Sequence, residues 1–219
     1  MIRAAIFDFD GTLTPLTLDF SVLGAKVEDT AREYVDESFL ASQSDQYILE
    51  MIHAVADTLA GEGPLFRQRA FQELRLLEVE AARGKSLYPY AKDTLLRLRS
   101  KGVKVGIITR TCIEVIETVF PDLAGHVDTV VTRDDTRYVK PNPEHVRLAL
   151  EALQAAPGEA VLVGDHPTDI EAGRAFGTLT AGVLTGRTSR VQFVNAGADH
   201  IFDDIRGVVG LLGVQEWNG

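Results

Sequence analysis

Residues 2–12 read IRAAIFDFDGT, and this stretch decides how the rest of the sequence is interpreted. Its first six residues are apolar apart from one arginine and stop at an acidic, glycine-containing turn, a pattern typical of a buried β-strand. Aspartate and glycine are common turn formers. A turn alone, however, does not require Asp8 and Asp10, two carboxylates two positions apart at the end of such a strand. We therefore interpret DFDGT, residues 8–12, as a functional motif.

Short β-branched or apolar segments alternate with helical patterns along most of the chain. The predicted strands are Ile2–Phe7, Val103–Ile108, Asp128–Val131 and Ala160–Val163, with weaker candidates at Leu179–Val183 and His200–Phe202. The predicted helices are Ala91–Ser100, Ile113–Phe120, Pro143–Ala155, Asp169–Phe176 and Ser189–Ala196. This alternation predicts an α/β fold, with a Rossmann-like parallel sheet covered by helices on both faces. Functional residues are then expected at the carboxyl ends of the strands.

One segment, residues 16–85, breaks the alternation because it contains no convincing strand. Three helical stretches are predicted there, at Val27–Leu40, Gln46–Ala60 and Leu65–Ala82, with a break at Gly61-Glu62-Gly63-Pro64. About seventy helical residues inserted after the first strand are enough for a small domain of their own. The sequence therefore predicts a core formed by 1–15 and 86–219, and an all-helical domain formed by 16–85.

Composition excludes several classes of protein. The 219 residues are 45% hydrophobic and 25% charged, which is ordinary for a globular protein. A formal net charge of −10, with no basic run to offset it, argues against nucleic acid as the main partner. The single cysteine, Cys112, excludes an intrachain disulfide, and the short apolar start is neither a signal peptide nor a membrane span. We expect a cytoplasmic protein without a membrane partner; the sequence leaves its oligomeric state undetermined.

Three further motifs lie at predicted strand ends or nearby loops. Thr109 follows residues 106–108, Lys140 lies in VKPNPE (139–144), and Asp165 and Asp169 lie in GDHPTD (164–169). Together with DFDGTL (8–13), they resemble, in type and order, the four motifs of the haloacid dehalogenase superfamily of phosphohydrolases. The helical insert is similar to the cap of its phosphoglycolate-phosphatase-like members. The resemblance covers nearly the whole chain and implies a catalytic core at 1–15 and 86–219, with a cap domain at 16–85.

The two carboxylates of the first motif suit phosphoryl transfer. A carboxylate nucleophile splits one difficult displacement into two easier steps, and Asp8 at the strand end is placed to attack. Asp10 is close enough in sequence to protonate the leaving alcohol and then to take a proton from water. The resemblance implies that Asp8 carries an aspartyl-phosphate, and that Asp8, Asp10, Thr109 and Lys140 are the catalytic residues.

Charge balance calls for a metal ion. Asp8, Asp165 and Asp169 would bring three negative charges to a dianionic phosphate, and each like pair at ~4 Å costs several kcal/mol. Mg²⁺ accepts hard oxygen ligands and substrate phosphate together. By resemblance, its ligands are the Asp8 side chain, the Asp10 backbone carbonyl and Asp165, with Asp169 bound directly or through water. Helix capping is the alternative role for Asp165 and Asp169, since Pro167 suits an early helical position.

The remaining candidates would hold a phosphate. The hydroxyl of Thr109 can donate to a phosphate oxygen, and Lys140 supplies a compact positive charge. Pro141 favours an extended backbone at Lys140, so that its side chain would project from a loop. Gly11 and Thr12 complete the predicted substrate-binding set, together with Arg110, for which an ordinary surface position is the alternative.

The most specific prediction is a Mg²⁺-dependent phosphatase that acts on a small phosphorylated metabolite. Phosphoglycolate, a sugar phosphate, a nucleoside monophosphate and pyrophosphate all remain open as substrates. A sugar phosphomutase of the same family keeps all four motifs and is the alternative within this fold. A phospho-acceptor signalling domain is the alternative from another class, although such a domain needs neither Asp10 nor a helical cap.

Overall fold

The computed structural model describes residues 2–16 and 18–211. The chain divides into two compact units, Leu18–Arg83 and a larger one that contains residues 2–16 and 84–211. Within the described residues, no helix combines the length and the apolar character needed to span a membrane. The cap role predicted for residues 16–85 remains a prediction.

The described part of the larger unit contains a six-stranded parallel sheet. Its strands are β1 (Ala4–Phe7), β2 (Lys104–Ile108), β3 (Thr129–Val131), β4 (Ala160–Gly164), β5 (Leu179–Val183) and β6 (His200–Phe202). The spatial order is β3-β2-β1-β4-β5-β6, so β1 lies in the middle and the strand order reverses beside it. In open parallel sheets this reversal marks the crevice where ligands bind. All six predicted strands are confirmed, with ends that differ by at most two residues.

Helices fill the connections between the strands and form the smaller unit. In chain order they are α1 (Phe20–Ala31), α2 (Glu37–Ser42), α3 (Ile48–Thr58), α4 (Gly63–Ala82), α5 (Ala91–Ser100), α6 (Ile113–Val119), α7 (Glu144–Leu153), α8 (Pro167–Phe176), α9 (Arg190–Ala196) and α10 (Val208–Leu211). Short 3₁₀ turns occur at Leu123–Gly125, Pro157–Glu159 and Ile205–Gly207. The helices predicted in the larger unit are all present.

The central strand is buried along its whole length. Each residue of β1 has no exposed surface, so the sheet is covered on both faces, as expected for parallel strands. On one face Ala4 and Ile6 pack with Leu162 of β4 against α7 and α8. The hydrophobic core therefore holds β1 rigidly, and with it the position of the residue that follows, Asp8.

The smaller unit corrects one prediction. The predicted helix Val27–Leu40 is wrong, because the chain forms α1 and α2 with an interruption after Arg32. The Asp36 side chain accepts the backbone N–H of Phe39 and begins a new helix, a cap that competes with helix continuation. A break between α3 and α4 is confirmed, but it lies at residues 59–62 rather than 61–64, because α4 begins at Gly63 with Pro64 in its first turn.

Ion pairs connect α4 with other segments of the smaller unit. Arg69 of α4 donates to both carboxylate oxygens of Glu33, at 2.5 and 2.7 Å. Arg67, on the same helix, lies 3.1 Å from Asp57 of α3. Both arginines therefore have partners within their own unit.

Candidate active site

The carboxyl ends of the central strands bring four of the predicted charged side chains together. Asp8 follows β1, Asp165 follows β4, and Asp169 lies in the first turn of α8. Lys140 comes from the loop between β3 and α7. Its Nζ lies 2.6 Å from Asp8 Oδ1 and 2.5 Å from Asp169 Oδ1. All four side chains are buried, so these contacts act where water screens little.

The Lys140 ammonium compensates the two carboxylates that it contacts. Burial alone lowers the pKa of Lys140, but attraction to Asp169 and to Asp8 outweighs burial and raises it above its usual value. Burial raises the pKa of Asp169 to about 6; Lys140 opposes this increase, whereas Asp8 adds to it. Lys140 is therefore held in its charged form as the central cation of the site.

The negative charge of Asp165 is compensated less than the charges of Asp8 and Asp169. Burial, followed by repulsion from Asp8 and Asp169, raises the pKa of Asp165 to about 9. Thr12, also buried, places its hydroxyl oxygen 3.3 Å from Asp8 Oδ2 and 3.3 Å from Asp165 Oδ1. A hydroxyl has one proton and can donate to only one of these oxygens at a time. The structure thus brings Thr12, a predicted phosphate ligand, against the two carboxylates.

Asp169 also caps helix α8, as the alternative role anticipated. Its Oδ2 accepts the backbone N–H of His166 at 3.0 Å, while its Oδ1 accepts from Lys140. The ring of His166 takes part in the same cap, because its Nδ1 accepts the backbone N–H of Thr168. Asp169 therefore positions Lys140 and stabilises a helix start with separate oxygens.

The acidic cluster fits a divalent metal ion. Carboxylate oxygens of Asp8, Asp165 and Asp169 all lie within 4.8 Å of one another. One ammonium group cannot balance three ionised carboxylates, and the raised pKa of Asp165 expresses that imbalance. Hard oxygen donors grouped in this way match the preference of Mg²⁺. The residues present therefore fit the metal that the sequence predicted.

Two glycines allow the Asp165 carboxylate to sit where it does. Gly11 has a φ of +82°, and a Cβ there would lie 2.3 Å from Asp165 Oδ2. A Cβ on Gly186, in the loop after β5, would lie only 1.8 Å from the same oxygen. Any side chain at either position would force the carboxylate or the adjacent backbone to move. Gly11 was predicted as a substrate ligand, whereas Gly186 was missed by sequence reasoning.

The same loop after β5 is fastened to the first motif. Thr185 Oγ1 donates to the Gly11 carbonyl at 2.5 Å, and the Tyr88 hydroxyl donates to the Thr185 carbonyl at 3.3 Å. Tyr88 also donates its backbone N–H to the Leu13 carbonyl at 2.9 Å. Tyr88 and Thr185 were not predicted from the sequence. The expectation that functional residues lie at the carboxyl ends of strands could have indicated the loop after β5, though not these particular contacts.

Asp10 lies in a tight turn directly beyond Asp8. Backbone N–H groups of residues 12–14 all point to the Phe9 carbonyl, and Gly11 N–H donates to the Thr14 carbonyl at 2.9 Å. Asp10 is half-buried. The turn fixes the backbone on both sides of Asp10, and its predicted acid/base role remains a prediction.

The residues at the end of β2 have different surroundings. Thr109 is buried, and its Oγ1 accepts the Thr111 backbone N–H at 3.1 Å, which leaves the hydroxyl proton for another acceptor. The Arg110 guanidinium donates to the backbone carbonyl of Lys140. Arg110 therefore acts on the protein itself, and the predicted contact with substrate remains a prediction.

Comparisons with known proteins agree with this geometry. Residues 2–177 match a family model described as a hydrolase, haloacid dehalogenase-like hydrolase. The chain is 41% identical to pyrophosphatase PpaX of Bacillus velezensis over 219 residues, covering 98% of both chains. It is 31% identical to the phosphoglycolate phosphatase of Aquifex aeolicus over 189 residues, 84% of this chain and 86% of that one. A hydrolase from Pseudomonas syringae superposes with a TM-score of 0.70 at 21% identity, covering 96% of this chain and 98% of the other; this likeness shows the fold alone.

Proposed function

The chain belongs to the haloacid dehalogenase-like hydrolases and is a phosphatase of that family, and from this premise we propose a two-step, Mg²⁺-dependent mechanism on Asp8. The observation that carries the proposal is the buried contact of 2.6 Å between the Lys140 ammonium and Asp8 Oδ1. This contact fixes the orientation of one carboxylate at the carboxyl end of the central strand. A fixed, desolvated carboxylate beside a cation suits in-line attack on a phosphoryl group.

In the first step, a carboxylate oxygen of Asp8 forms a bond to phosphorus while the bond from phosphorus to the leaving oxygen breaks. Asp10 gives its proton to that leaving oxygen. In the second step, Asp10 takes a proton from water, which attacks the phosphorus of the phospho-aspartate. Inorganic phosphate leaves, and the Asp8 carboxylate is restored. Lys140 neutralises part of the charge that Asp8 and the phosphoryl group bring together.

Mg²⁺ held by Asp8, Asp165 and the Asp10 carbonyl, with Asp169 directly or through water, would supply the positive charge for the phosphoryl oxygens. The grouping of three carboxylates within 4.8 Å supports this assignment. Thr12 and Thr109 would donate hydroxyl protons within the same pocket, and the backbone at Gly11 would lie beside the bound phosphate.

For the substrate, we propose pyrophosphate first and phosphoglycolate second. The support for pyrophosphate is the 41% identity to a pyrophosphatase across 98% of both chains. The support for phosphoglycolate is the weaker, shorter match to a phosphoglycolate phosphatase. Sugar phosphates and nucleoside monophosphates stay in the test panel, because the sequence leaves them open as substrates. A phospho-acceptor signalling domain is not supported, since the chain belongs to a family of hydrolases.

The test is phosphate release from each of these compounds with Mg²⁺, with the Asp8→Asn variant as the background. We expect hydrolysis of pyrophosphate or phosphoglycolate well above that background. Release from none of the compounds would contradict the proposed function. Conversion of a sugar phosphate into its isomer without release of phosphate would replace it with the phosphomutase alternative.

A further inference from the structure

Lys140 reaches its two carboxylates from a loop, although its position must be accurate. Its long, flexible side chain loses rotamer freedom when it is held in one position, and loops move more than the elements that they connect. The ammonium nevertheless contacts Asp8 at 2.6 Å and Asp169 at 2.5 Å. The place of the Lys140 backbone decides whether both contacts can form at once.

His145, in the first turn of α7, holds the amide of Lys140. The Lys140 N–H donates to His145 Nδ1 at 3.3 Å, and His145 Nε2 lies 3.0 Å from the carbonyl of Val131. Since a carbonyl can only accept, Nε2 carries the proton and Nδ1 is the acceptor. The ring is fully buried, and burial lowers its pKa to about 3, so it stays neutral and keeps this tautomer. His145 thus joins the Lys140 loop to the end of β3.

Arg110 holds the other side of the same residue. Its guanidinium donates to the Lys140 carbonyl, and Arg133 Nη1 donates to the Arg110 carbonyl at 3.4 Å. Arg110 follows Thr109 at the end of β2. Both backbone polar groups of Lys140 are therefore held by side chains from elsewhere, one from the loop after β2 and one from α7.

We propose that His145 and Arg110 are positioning residues, which set the backbone of Lys140 so that its ammonium lies between Asp8 and Asp169. This inference rests on the proposed function, in which Lys140 orients the nucleophile. The competing explanation is that His145 only satisfies a buried backbone N–H and contributes to stability. The two differ in what a substitution changes. Misplacement of Lys140 lowers kcat, whereas a loss of stability alone leaves kcat of the folded enzyme unchanged.

The experiment compares His145→Leu with His145→Gln. Leucine is similar in size and makes no hydrogen bond, whereas glutamine offers one acceptor and one donor to replace those of the neutral ring. A displacement of about 1 Å can cost about 100-fold in rate. We expect kcat of His145→Leu to fall about 10- to 100-fold with KM within about threefold, and His145→Gln to recover most of the loss. His126→Leu is the matched control, because it removes another contact of a histidine ring with a backbone carbonyl, 3.0 Å to Asp122.

A second variant separates the two possible roles of Arg110 and guards against misfolding of His145→Leu. If Arg110 positions Lys140, Arg110→Met lowers kcat; if it binds substrate, the same variant raises KM and leaves kcat nearly unchanged. The first result supports the inference and the second removes Arg110 from it. Wild-type kcat in folded His145→Leu, or equal losses in the leucine and glutamine variants, overturns the role of His145.

A further measurement does not depend on turnover. Lys140 is buried, so its amine should react slowly with acetic anhydride in the wild-type protein and several-fold faster in His145→Leu, as read by mass spectrometry of the peptide containing Lys140. Equal labelling in both proteins overturns the inference even if the wild type hydrolyses every substrate. Faster labelling in a protein that hydrolyses none of them supports the inference about position and refutes the proposed function alone.

Discussion

Gly186→Ala is the substitution that best isolates the role of Asp165, because it changes a residue outside the four motifs. The added Cβ would lie 1.8 Å from Asp165 Oδ2, whereas real Cβ atoms essentially never come closer than 3.0 Å to such a neighbour. Either the carboxylate or the loop after β5 must move to restore that separation. The Thr185 hydroxyl fastens this loop to the Gly11 carbonyl at 2.5 Å, so we expect the carboxylate to move.

The expected effect is on metal binding. Mg²⁺ requires ligands at about 2.0–2.1 Å in near-ideal octahedral geometry, so a carboxylate displaced by more than about 1 Å no longer binds it. Changes that only disturb the support of a ligand cost about 10- to 100-fold in metal affinity. Loss of the ligand itself should therefore raise the Mg²⁺ concentration for half-maximal activity about 100-fold or more, equivalent to roughly 2.7 kcal/mol. The metal-free protein should lose little stability, because Asp165 leaves a site where Asp8 and Asp169 repel it.

The assay is activity against Mg²⁺ concentration, supported by the rise in thermal midpoint that Mg²⁺ produces through binding to the folded state. Gly125→Ala is the control, because a Cβ there meets no atom within 4 Å. It should leave both curves unchanged. A folded Gly186→Ala protein with the Mg²⁺ dependence of the wild type would refute the assignment of Asp165 as a metal ligand.

The pKa of Asp165 is raised from 3.8 to about 9 in the metal-free protein. Between these two pH values the folded form therefore retains a proton that the unfolded form releases. The resulting contribution to stability is complete below about pH 4 and is lost as the pH rises towards 9. Asp165→Asn should therefore raise the metal-free thermal midpoint at pH 8 by several degrees and abolish stabilisation by Mg²⁺, and melting curves that match the wild type would contradict this. Asp10→Asn should lower the rate of alkyl phosphate hydrolysis about 10²–10⁴-fold, but it should still form phosphoenzyme fairly well from a nitrophenyl phosphate. If rapid-quench measurements show an equal reduction in the rate of phosphoenzyme formation for both esters, Asp10 is excluded as the proton donor. Excess chelator should abolish activity, and Mg²⁺ should restore it. Ca²⁺ should support activity poorly, because it prefers more ligands in looser geometry. Full activity in chelator would remove the metal from the mechanism.

The fold was predictable because its signals are local. Each strand of the sheet is a short apolar segment that ends at a turn, and helical patterns lie between these segments. The helix predicted at Val27–Leu40 was wrong because one side chain, Asp36, caps a new helix where the apolar pattern continues. A capping side chain acts at a single residue, so the apolar pattern averaged over several helical turns does not reveal the cap.

The charged residues of the site were predictable because strand ends and motifs can be identified in the sequence, whereas the residues that support them cannot. Asp8, Lys140, Asp165 and Asp169 meet because parallel strands bring their carboxyl ends to one edge. His145 and Gly186 carry no signal of their own, since their roles arise from contacts with Lys140 and Asp165 that only the folded chain creates.

The central claim, a phosphoryl group carried by Asp8, is tested most directly by trapping the covalent intermediate. Asp10→Asn enzyme mixed with labelled nitrophenyl phosphate and Mg²⁺, quenched in acid and digested, should yield one labelled peptide, with the phosphate on Asp8. The label should form and decay at rates that account for turnover, and Asp8→Asn should give none. Turnover without any labelled peptide, or a label on a peptide that lacks residue 8, would contradict the mechanism.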